Sequence, residues 1–289
     1  MKIFEVLKFG IERLGKRKNA VLDCEVILAN VLGEEKEYLI AHSEEDVHDD
    51  LVKLFKVYLG RIQSGESIAY ITHEKEFFGL NFYVDRRVLV PRPETELLVE
   101  NVLNFIVTNE SEGRTFRILD VGTGSGNIAI SLAKTLQDQK PGILDQILAL
   151  DISEDALDVA RINVEQYGLE DKIQLYQSDL LEVVDVGEDY DVIVANLPYI
   201  GEVVNNEVEE NVKKHEPNGA LFAGHDGLSL YKKMFQQIKD KEIKFNLLVG
   251  EFGEGQRKGL GELLSKYFEQ NWRIEKDLAK KDRVFIVEN

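Results

Sequence analysis

Two segments of the chain carry residues whose types and spacing could do chemistry. Residues 196–199 read Asn-Leu-Pro-Tyr after an apolar run, and residues 120–126 read Asp-Val-Gly-Thr-Gly-Ser-Gly between a strand pattern and a helix pattern. The side-chain carbonyl of Asn196 and the backbone carbonyl of Leu197 could each accept one N–H of a planar NH2 group. Paired acceptors would orient and desolvate a nitrogen that is otherwise a poor nucleophile. We therefore predict methyl transfer from an adenosyl cofactor to a planar nitrogen.

The glycine-rich turn is the predicted cofactor site. Glycines permit positive φ and close approach of the backbone to a ligand, and the following helix N-terminus offers free N–H groups. A nucleotide or the methionine carboxylate of S-adenosylmethionine would suit such a turn. After the next two strands, Asp151 would accept from ribose hydroxyls and Asp179 from the adenine amino group. The predicted cofactor residues are Asp120, Gly122, Thr123, Gly124, Ser125, Gly126, Asp151 and Asp179.

Each of these features has a competing interpretation. The turn alone is compatible with a structural tight turn or with a dinucleotide site, which also has an acid after its second strand. Asp151 could be an ordinary helix cap, and Asp179 could cap a turn. The Asn-Leu-Pro-Tyr segment could be a strand-ending turn, although turn chemistry does not explain its register with the glycine turn.

The Asn-Leu-Pro-Tyr segment is the predicted catalytic and substrate-binding site. Pro198 would fix the local backbone, and Tyr199 offers a flat face and a hydroxyl. This chemistry needs no metal, and five histidines without a cysteine cluster argue against zinc. The predicted catalytic residues are Asn196, Leu197, Pro198 and Tyr199.

Other polar residues have structural interpretations beside functional ones. Arg92, Glu94 and Thr95 either border the site or form a helix N-terminus that starts at a proline. Glu251 follows a strand and is interpreted as a structural acid at the sheet edge rather than as a base.

Patterns along the chain divide it into three predicted domains. Residues 1–67 carry apolar residues at helix spacing and predict a small helical bundle. Residues 68–91 change period and predict a β-hairpin linker. Residues 92–289 alternate strand and helix patterns, which predicts an α/β domain with an open, mostly parallel sheet. Ligands bind at the carboxyl ends of the strands in such sheets, where the candidate site residues fall.

Composition limits the classes of partner. The 289 residues include 53 acidic and 35 basic ones, which gives a formal net charge of −18. Such a surface repels a phosphate backbone, so we expect no direct contact with nucleic acid. The single cysteine, Cys24, is interpreted as a buried, inert thiol, which fits a reducing compartment. Because no apolar run approaches the ~20 residues that span a bilayer, we expect a cytoplasmic protein without a membrane partner.

Further motifs connect the two segments to a known family. Residues 74–80 read Glu-Lys-Glu-Phe-Phe-Gly-Leu and residues 90–96 read Val-Pro-Arg-Pro-Glu-Thr-Glu. Glu216 and Pro217 precede residues 220–224 and 226–228, which read Ala-Leu-Phe-Ala-Gly and Asp-Gly-Leu. With the two segments above, these motifs resemble the peptide-chain release factor glutamine N5-methyltransferases, which are class I S-adenosylmethionine-dependent enzymes. The resemblance in motifs spans residues 70–289. Residues 1–67 share with the family a helical pattern but no motif.

This resemblance implies a fold, an activity and a partner. The fold would be a Rossmann-like, mostly parallel seven-stranded sheet with a small N-terminal helical bundle and a β-hairpin linker. The activity would be methylation of N5 of the glutamine in the Gly-Gly-Gln motif of bacterial release factors, with S-adenosylhomocysteine as product. The family's N-terminal domain contacts the release factor, so residues 1–67 would recognise the substrate. The resemblance also implies that Leu180 lies near the adenine. We further predict that Asn196 borders the cofactor and that Arg92 borders the substrate.

Two departures from the family pattern and two alternative functions stand beside this interpretation. Leu197 replaces the usual proline, which loosens the loop but keeps the backbone carbonyl. Leu180 stands where some relatives carry an aromatic residue near the adenine, which predicts weaker cofactor binding. Asn-Leu-Pro-Tyr also resembles the rRNA adenine N6-dimethyltransferases, and a catalytically silent relative that binds release factors is the second alternative. The acidic charge and the flanking signatures favour the protein substrate, and we expect a monomer.

Overall fold

A computed structural model describes residues 1–201, 217, 226–269 and 271–289. The chain divides into two compact units, Met1–Glu74 and Lys75–Asn289. Within the described ranges, no helix is long and apolar enough to cross a membrane. Apart from Pro217, the signature motif at residues 216–224 lies outside the described residues.

The first unit consists of short helices packed on one another. They are Ile3–Leu14 (α1), Ala20–Leu32 (α2), Lys36–Ala41 (α3), Asp49–Gln63 (α4) and Ile68–Thr72 (α5). Gly10 lets α1 approach its neighbours, because a Cβ there would lie 2.7 Å from the Phe55 ring and 2.9 Å from Cys24 Sγ. Cys24 is buried as predicted, and burial raises the pKa of its thiol to about 11. The predicted N-terminal helical region is confirmed.

A two-stranded hairpin follows these helices in the sequence. Its strands are Glu74–Phe77 (β1) and Leu80–Tyr83 (β2). The predicted strand pattern also included Tyr70, Val88 and Val90, and that part was wrong. Tyr70 lies in α5, and the two valines are buried outside any strand. Their apolar character reflects burial and not pairing within the hairpin.

Seven strands of the second unit form a single sheet. They are Phe116–Val121 (β3), Leu144–Asp151 (β4), Ile173–Gln177 (β5), Asp189–Ala195 (β6), Lys244–Glu251 (β7), Trp272–Lys276 (β8) and Asp282–Glu288 (β9). Their order across the sheet is β5-β4-β3-β6-β7-β9-β8. The first five strands in this order, from β5 across to β7, are parallel to one another. Strand β9 pairs antiparallel with β7 and β8. The predicted mostly parallel seven-stranded sheet is confirmed.

Helices connect the strands of the sheet. They are the 3-10 helix Pro93–Thr95 and the α-helices Glu96–Asn109 (α6), Asn127–Gln139 (α7), Glu154–Tyr167 (α8), Ser229–Asp240 (α9) and Arg257–Phe268 (α10). Ser153 is the N-cap of α8, because its side chain accepts a hydrogen bond from the Ala156 N–H.

The carboxyl ends of the central strands meet at one edge of the sheet. Strands β3 and β6 are neighbours, with Val121 opposite Ala195. The chain continues from β3 to β4 on one side and from β6 to β7 on the other. Where the order of strands reverses in this way, a crevice opens at the carboxyl ends. The glycine turn follows β3 and the Asn-Leu-Pro-Tyr segment follows β6, so the fold brings both to this crevice.

Candidate active site

A cavity of about 310 Å³ lies at the crevice. Its walls come from the glycine turn, the ends of the neighbouring strands and the segment before α6. The predicted site residues that line it are Arg92, Gly122, Thr123, Gly124, Ser125, Asp151, Asp179, Leu180, Asn196, Leu197 and Pro198. Asp120, Gly126 and Tyr199 were predicted with them and are not among the residues that line it.

Gly122 brings the glycine turn against the acceptor segment, which is our name for residues 196–199. Its φ is +79°, in the left-handed region that favours glycine. A Cβ at this position would lie 3.0 Å from Leu197 Cδ2 and 3.6 Å from the backbone oxygen of Asn196. Any side chain here would push the two segments apart, so their register depends on this glycine.

Asp120 lies beneath the turn. Its side chain is fully buried, and its Oδ2 accepts a 2.7 Å hydrogen bond from Thr123 Oγ1. Burial raises the pKa of this carboxyl to about 7, and the charge of Asp151 acts in the same direction. The sequence suggested direct contact between Asp120 and a cofactor. The structure instead places this carboxyl under the turn that lines the cavity, where it braces Thr123.

Asp151 ends β4 and ties two backbone segments together. Its Oδ2 accepts from the Gly124 N–H at 2.9 Å, and its Oδ1 accepts from the Ser153 N–H at 2.9 Å. Burial raises the pKa of this carboxyl, and the hydrogen bonds from backbone N–H groups oppose that change. Each ionised oxygen has a further lone pair, so both can still accept from a ligand hydroxyl. Because Ser153 is the N-cap of α8, the alternative of Asp151 as that cap is wrong.

Asp179 and Leu180 border the cavity after β5. Lys233 Nζ donates to Asp179 Oδ2 at 2.5 Å, which engages one oxygen of this carboxylate near the surface. Leu180 is buried with a φ of +56°. Residues persist in this sparsely populated region only where the surrounding structure enforces it. The packing around Leu180 therefore fixes this part of the cavity wall.

Asn196 is hydrogen bonded to residues from distant parts of the sequence. Its Nδ2 donates to Thr95 Oγ1 at 3.0 Å, and Thr95 Oγ1 donates to Glu251 Oε2 at 2.6 Å. Tyr199 donates its hydroxyl hydrogen to Glu251 Oε1 at 3.1 Å. The buried carboxylate of Glu251 therefore holds both ends of the acceptor segment.

Burial controls the protonation of this network. It raises the pKa of Glu251, while the hydrogen bond from Thr95 and the charge of Arg283 lower it. Burial also raises the pKa of Tyr199, which keeps its hydroxyl protonated and able to donate. The sequence suggested that Tyr199 presents its ring and hydroxyl to a ligand. In the structure the hydroxyl is committed to Glu251.

Gln256 fixes the last residue of the acceptor segment. Its Nε2 donates to the backbone oxygens of Tyr199 at 2.7 Å and Asp226 at 2.9 Å, and its Oε1 accepts from the Gly253 N–H at 2.8 Å. A Cβ at Gly227 would overlap the backbone oxygen of Tyr199. The Asp-Gly-Leu motif at residues 226–228 therefore marks a close approach of the chain to the acceptor segment.

Sequence reasoning missed Glu251 and Gln256 as functional residues and left Thr95 undecided. One signal for Glu251 was available, because this residue ends β7, the parallel neighbour of β6, with Gly250 opposite Ala195. An acid at that end must lie beside residue 196. No comparable signal exists for Gln256, whose partners depend on loop conformation. Among the described residues, no group of three or more His, Cys, Asp or Glu side chains could hold a metal ion.

The sheet order and the position of the cavity define a class I methyltransferase. A family described as a methyltransferase domain matches residues 113–251, and one described as the PrmC N-terminal domain matches residues 5–72. The crystal structure of the N-terminal domain of human METTL16 in complex with SAH is similar with a TM-score of 0.54. That match covers 90% of this chain and 93% of that chain at 15% identity, so it concerns the fold alone.

Relatives that match over most of their length identify the particular family. The release factor glutamine methyltransferase of Bacillus subtilis (strain 168) is 37% identical over 290 residues, which cover 97% of this chain and 96% of the relative. The release factor glutamine methyltransferase of Clostridium acetobutylicum is 34% identical over 265 residues, which cover 91% and 90%. The chain belongs to the release factor glutamine methyltransferases, and the predicted family and fold are confirmed.

Proposed function

We propose that the chain transfers a methyl group from S-adenosylmethionine to N5 of the glutamine in the Gly-Gly-Gln motif of bacterial release factors. The observation that carries this proposal is the hydrogen bond from Asn196 Nδ2 to Thr95 at the cavity wall. It commits one N–H of Asn196 to the protein and turns Oδ1 away from Thr95, where it can act as an acceptor. An acceptor suits a substrate that brings a planar NH2 group, as a glutamine amide does. The names of the relatives describe the same activity.

The residues that line the cavity fit S-adenosylmethionine. The N–H groups of Gly122, Thr123, Gly124 and Gly126 already donate within the protein, so the positive end of the α7 dipole would attract the methionine carboxylate. The Asp151 oxygens suit the ribose hydroxyls, and Asp179 and Leu180 suit the adenine. The volume of about 310 Å³ falls within the usual range of small-molecule sites. Asn196 borders both the cofactor and the substrate in this arrangement.

The acceptor segment would supply orientation instead of a base. Asn196 Oδ1 and the Leu197 backbone oxygen would each accept one N–H of the glutamine amide, and Pro198 would restrict the backbone between them and Tyr199. Such orientation and desolvation favour pyramidalisation of the nitrogen. S-adenosylmethionine, when bound, supplies an electrophilic methyl group and leaves as the thioether while the amide nitrogen loses one proton to solvent.

We assign recognition of the release factor to residues 1–67, the linker to residues 68–91 and methyl transfer to residues 92–289. The match of residues 5–72 to the PrmC N-terminal domain supports this division, as does the compact unit that ends at Glu74. Arg92 lines the cavity and is assigned to the substrate side. The net charge of −18 supports a protein substrate over a phosphate backbone. We propose a monomer that acts in the cytoplasm, where release factors work.

Peptide mapping tests the proposal directly. The purified chain is incubated with methyl-labelled S-adenosylmethionine and a release factor, and the label is located by peptide mass spectrometry. We expect label only on the glutamine of the Gly-Gly-Gln motif, and none on a release factor in which glutamate replaces that glutamine. Label on RNA with none on the glutamine would favour the adenine alternative. Binding of the release factor without any turnover would favour the catalytically silent relative.

A further inference from the structure

We infer that Thr95 and Glu251 are positioning residues that set the orientation of the Asn196 carboxamide. This inference rests on the proposed function, because it concerns the acceptor that would hold the glutamine amide. Glu251 does not line the cavity, so it can act on the acceptor segment only through the side chains that it contacts, which include Thr95 and Tyr199. The contacts of these three side chains determine which atom of Asn196 remains for a substrate.

Each hydrogen bond in this chain of contacts has one direction. Hydrogen bonds from the Thr95 and Tyr199 hydroxyls and the charge of Arg283 stabilise the ionised form of the Glu251 carboxylate. In that form it only accepts, so Thr95 must donate its single hydroxyl hydrogen to Oε2, 2.6 Å away. Thr95 Oγ1 can then only accept from Asn196, 3.0 Å away. The only donor atom of the carboxamide is Nδ2. Nδ2 must therefore face Thr95, and Oδ1 must face away from it.

The reversed orientation of the carboxamide is disfavoured by the same contacts. It would set Oδ1 against Thr95 Oγ1, so that two acceptors would face each other. Water cannot easily substitute, because Thr95 and Glu251 are each only 1% exposed. A reversed carboxamide would also present N–H groups to the N–H groups of a glutamine amide. The Glu251 carboxylate therefore selects the orientation in which residue 196 can accept.

The second oxygen of the same carboxylate restrains the other end of the acceptor segment. Oε1 of Glu251 accepts from the Tyr199 hydroxyl at 3.1 Å while Oε2 accepts from Thr95. Rotation of the carboxylate to improve one bond would weaken the other. Glu251 therefore couples the orientation of Asn196 to the position of Tyr199, and the Leu197 carbonyl lies between them.

Substitution of Thr95 separates the hydroxyl from the shape of the side chain. Thr95→Val keeps the shape and removes the hydroxyl, whereas Thr95→Ser keeps the hydroxyl. We expect Thr95→Val to lower kcat for glutamine methylation about 10- to 100-fold, with KM for the release factor and Kd for S-adenosylhomocysteine within about twofold of wild type. Thr95→Ser should restore most of the turnover. Should Thr95→Val fold poorly, Glu251→Gln tests the same relay, with an expected loss in kcat of about tenfold.

An NMR measurement tests the orientation without turnover. In ¹⁵N spectra the side-chain NH2 signal of Asn196 is assigned by its absence from Asn196→Asp. We expect its proton exchange to be at least about tenfold slower in wild type than in Thr95→Val, because the hydrogen bond to Thr95 protects it. Equal exchange rates, or wild-type kcat in both Thr95→Val and Glu251→Gln, would overturn the inference. Protection that depends on Thr95 in a chain without glutamine turnover would instead overturn only the proposed function.

Discussion

The glycine turn and the acceptor segment line the same cavity, but they are held in place by different means. The turn is fixed by its own backbone at Gly122, by Asp120 within the turn and by Asp151 on the next strand. The acceptor segment is fixed by side chains far away in sequence. Asn196 and Thr95 are 101 residues apart, Tyr199 and Glu251 are 52 apart, and Tyr199 and Gln256 are 57 apart.

This difference separates a locally determined site from one determined by the tertiary structure. Changes within the glycine turn should affect cofactor binding first, because the turn is fixed by hydrogen bonds from its own residues and from the next strand. Changes around the acceptor segment should affect turnover first, because its residues hold their orientation through distant partners. The following predictions test that separation.

The largest effect is expected for Asn196→Ala, which removes one acceptor and leaves the glycine turn intact. We expect kcat to fall about 10²–10³-fold, as for the loss of one oriented hydrogen-bonding group in a transition state. The Kd for S-adenosylhomocysteine should stay within about twofold of wild type. Single-turnover kinetics and calorimetry measure the two quantities. Asn104→Ala on the exposed face of α6 is the matched control, and a parallel loss in both quantities would break the comparison.

The next largest effect is expected for Asp120→Asn, in the pH dependence of the free energy of unfolding. The pKa of Asp120 is about 7 in the folded chain, against about 3.9 for an unfolded aspartate. The folded state therefore binds the proton more tightly, and the stability that Asp120 contributes is fully present below about pH 4 and lost as the pH rises through 7. Between pH 5 and pH 7 the free energy of unfolding of wild type should fall about 2 kcal/mol more than that of Asp120→Asn.

Urea denaturation at a series of pH values measures this difference. Only the slopes of the free energy of unfolding against pH are compared. Any destabilisation by the asparagine that does not depend on pH therefore cancels. Parallel profiles for the two proteins would mean that Asp120 is not the titrating group. Glu251, the buried acid of the other region, serves as a contrast, because Glu251→Gln should show its main effect on kcat.

Gly122→Ala tests the contact between the two regions. The added Cβ would lie 3.0 Å from Leu197 Cδ2 on a backbone with φ +79°. Overpacking of this kind costs about 1–3 kcal/mol, so we expect S-adenosylhomocysteine to bind about 20-fold more weakly and kcat to fall as well. Gly113→Ala is a matched control, because Gly113 has φ +76° and open space around its Cβ position. Equal effects of the two substitutions on binding would show that backbone strain, and not the contact, is responsible.

The smallest effect is expected for Asp151→Asn. The amide keeps one acceptor and loses the other, so one hydrogen bond to a ribose hydroxyl or a backbone N–H is lost. We expect the Kd for S-adenosylhomocysteine to rise about fivefold, with kcat at saturating cofactor close to wild type. Calorimetry and steady-state kinetics measure the two values. A fall in kcat without a change in Kd would assign Asp151 to the acceptor segment instead.

The comparison also explains what the sequence could predict. The helical N-terminal region and the mostly parallel sheet were predicted correctly, because the spacing of apolar residues is a local property. The hairpin was extended wrongly to Val88 and Val90, since an apolar residue can be buried without pairing in a strand.

The candidate site divides in the same way. The glycine turn could be located from its residues, because glycine spacing directly determines its backbone. Whether Asp120 faces the cavity or the core is decided by the path of the turn, and the residue type does not reveal it. The partnership of Asn196, Thr95 and Glu251 arises only when the 3-10 helix, β6 and β7 come together.

Leu197 lines the cavity and also fills space in the apolar core of the second unit, against Gly122. A larger side chain at position 197 could not be offset by a smaller residue at position 122, because glycine already lacks a side chain. A smaller side chain at position 197 would leave a void beside Gly122. A change in the volume of the side chain at position 197 would therefore alter the packing of the core and the shape of the cavity together.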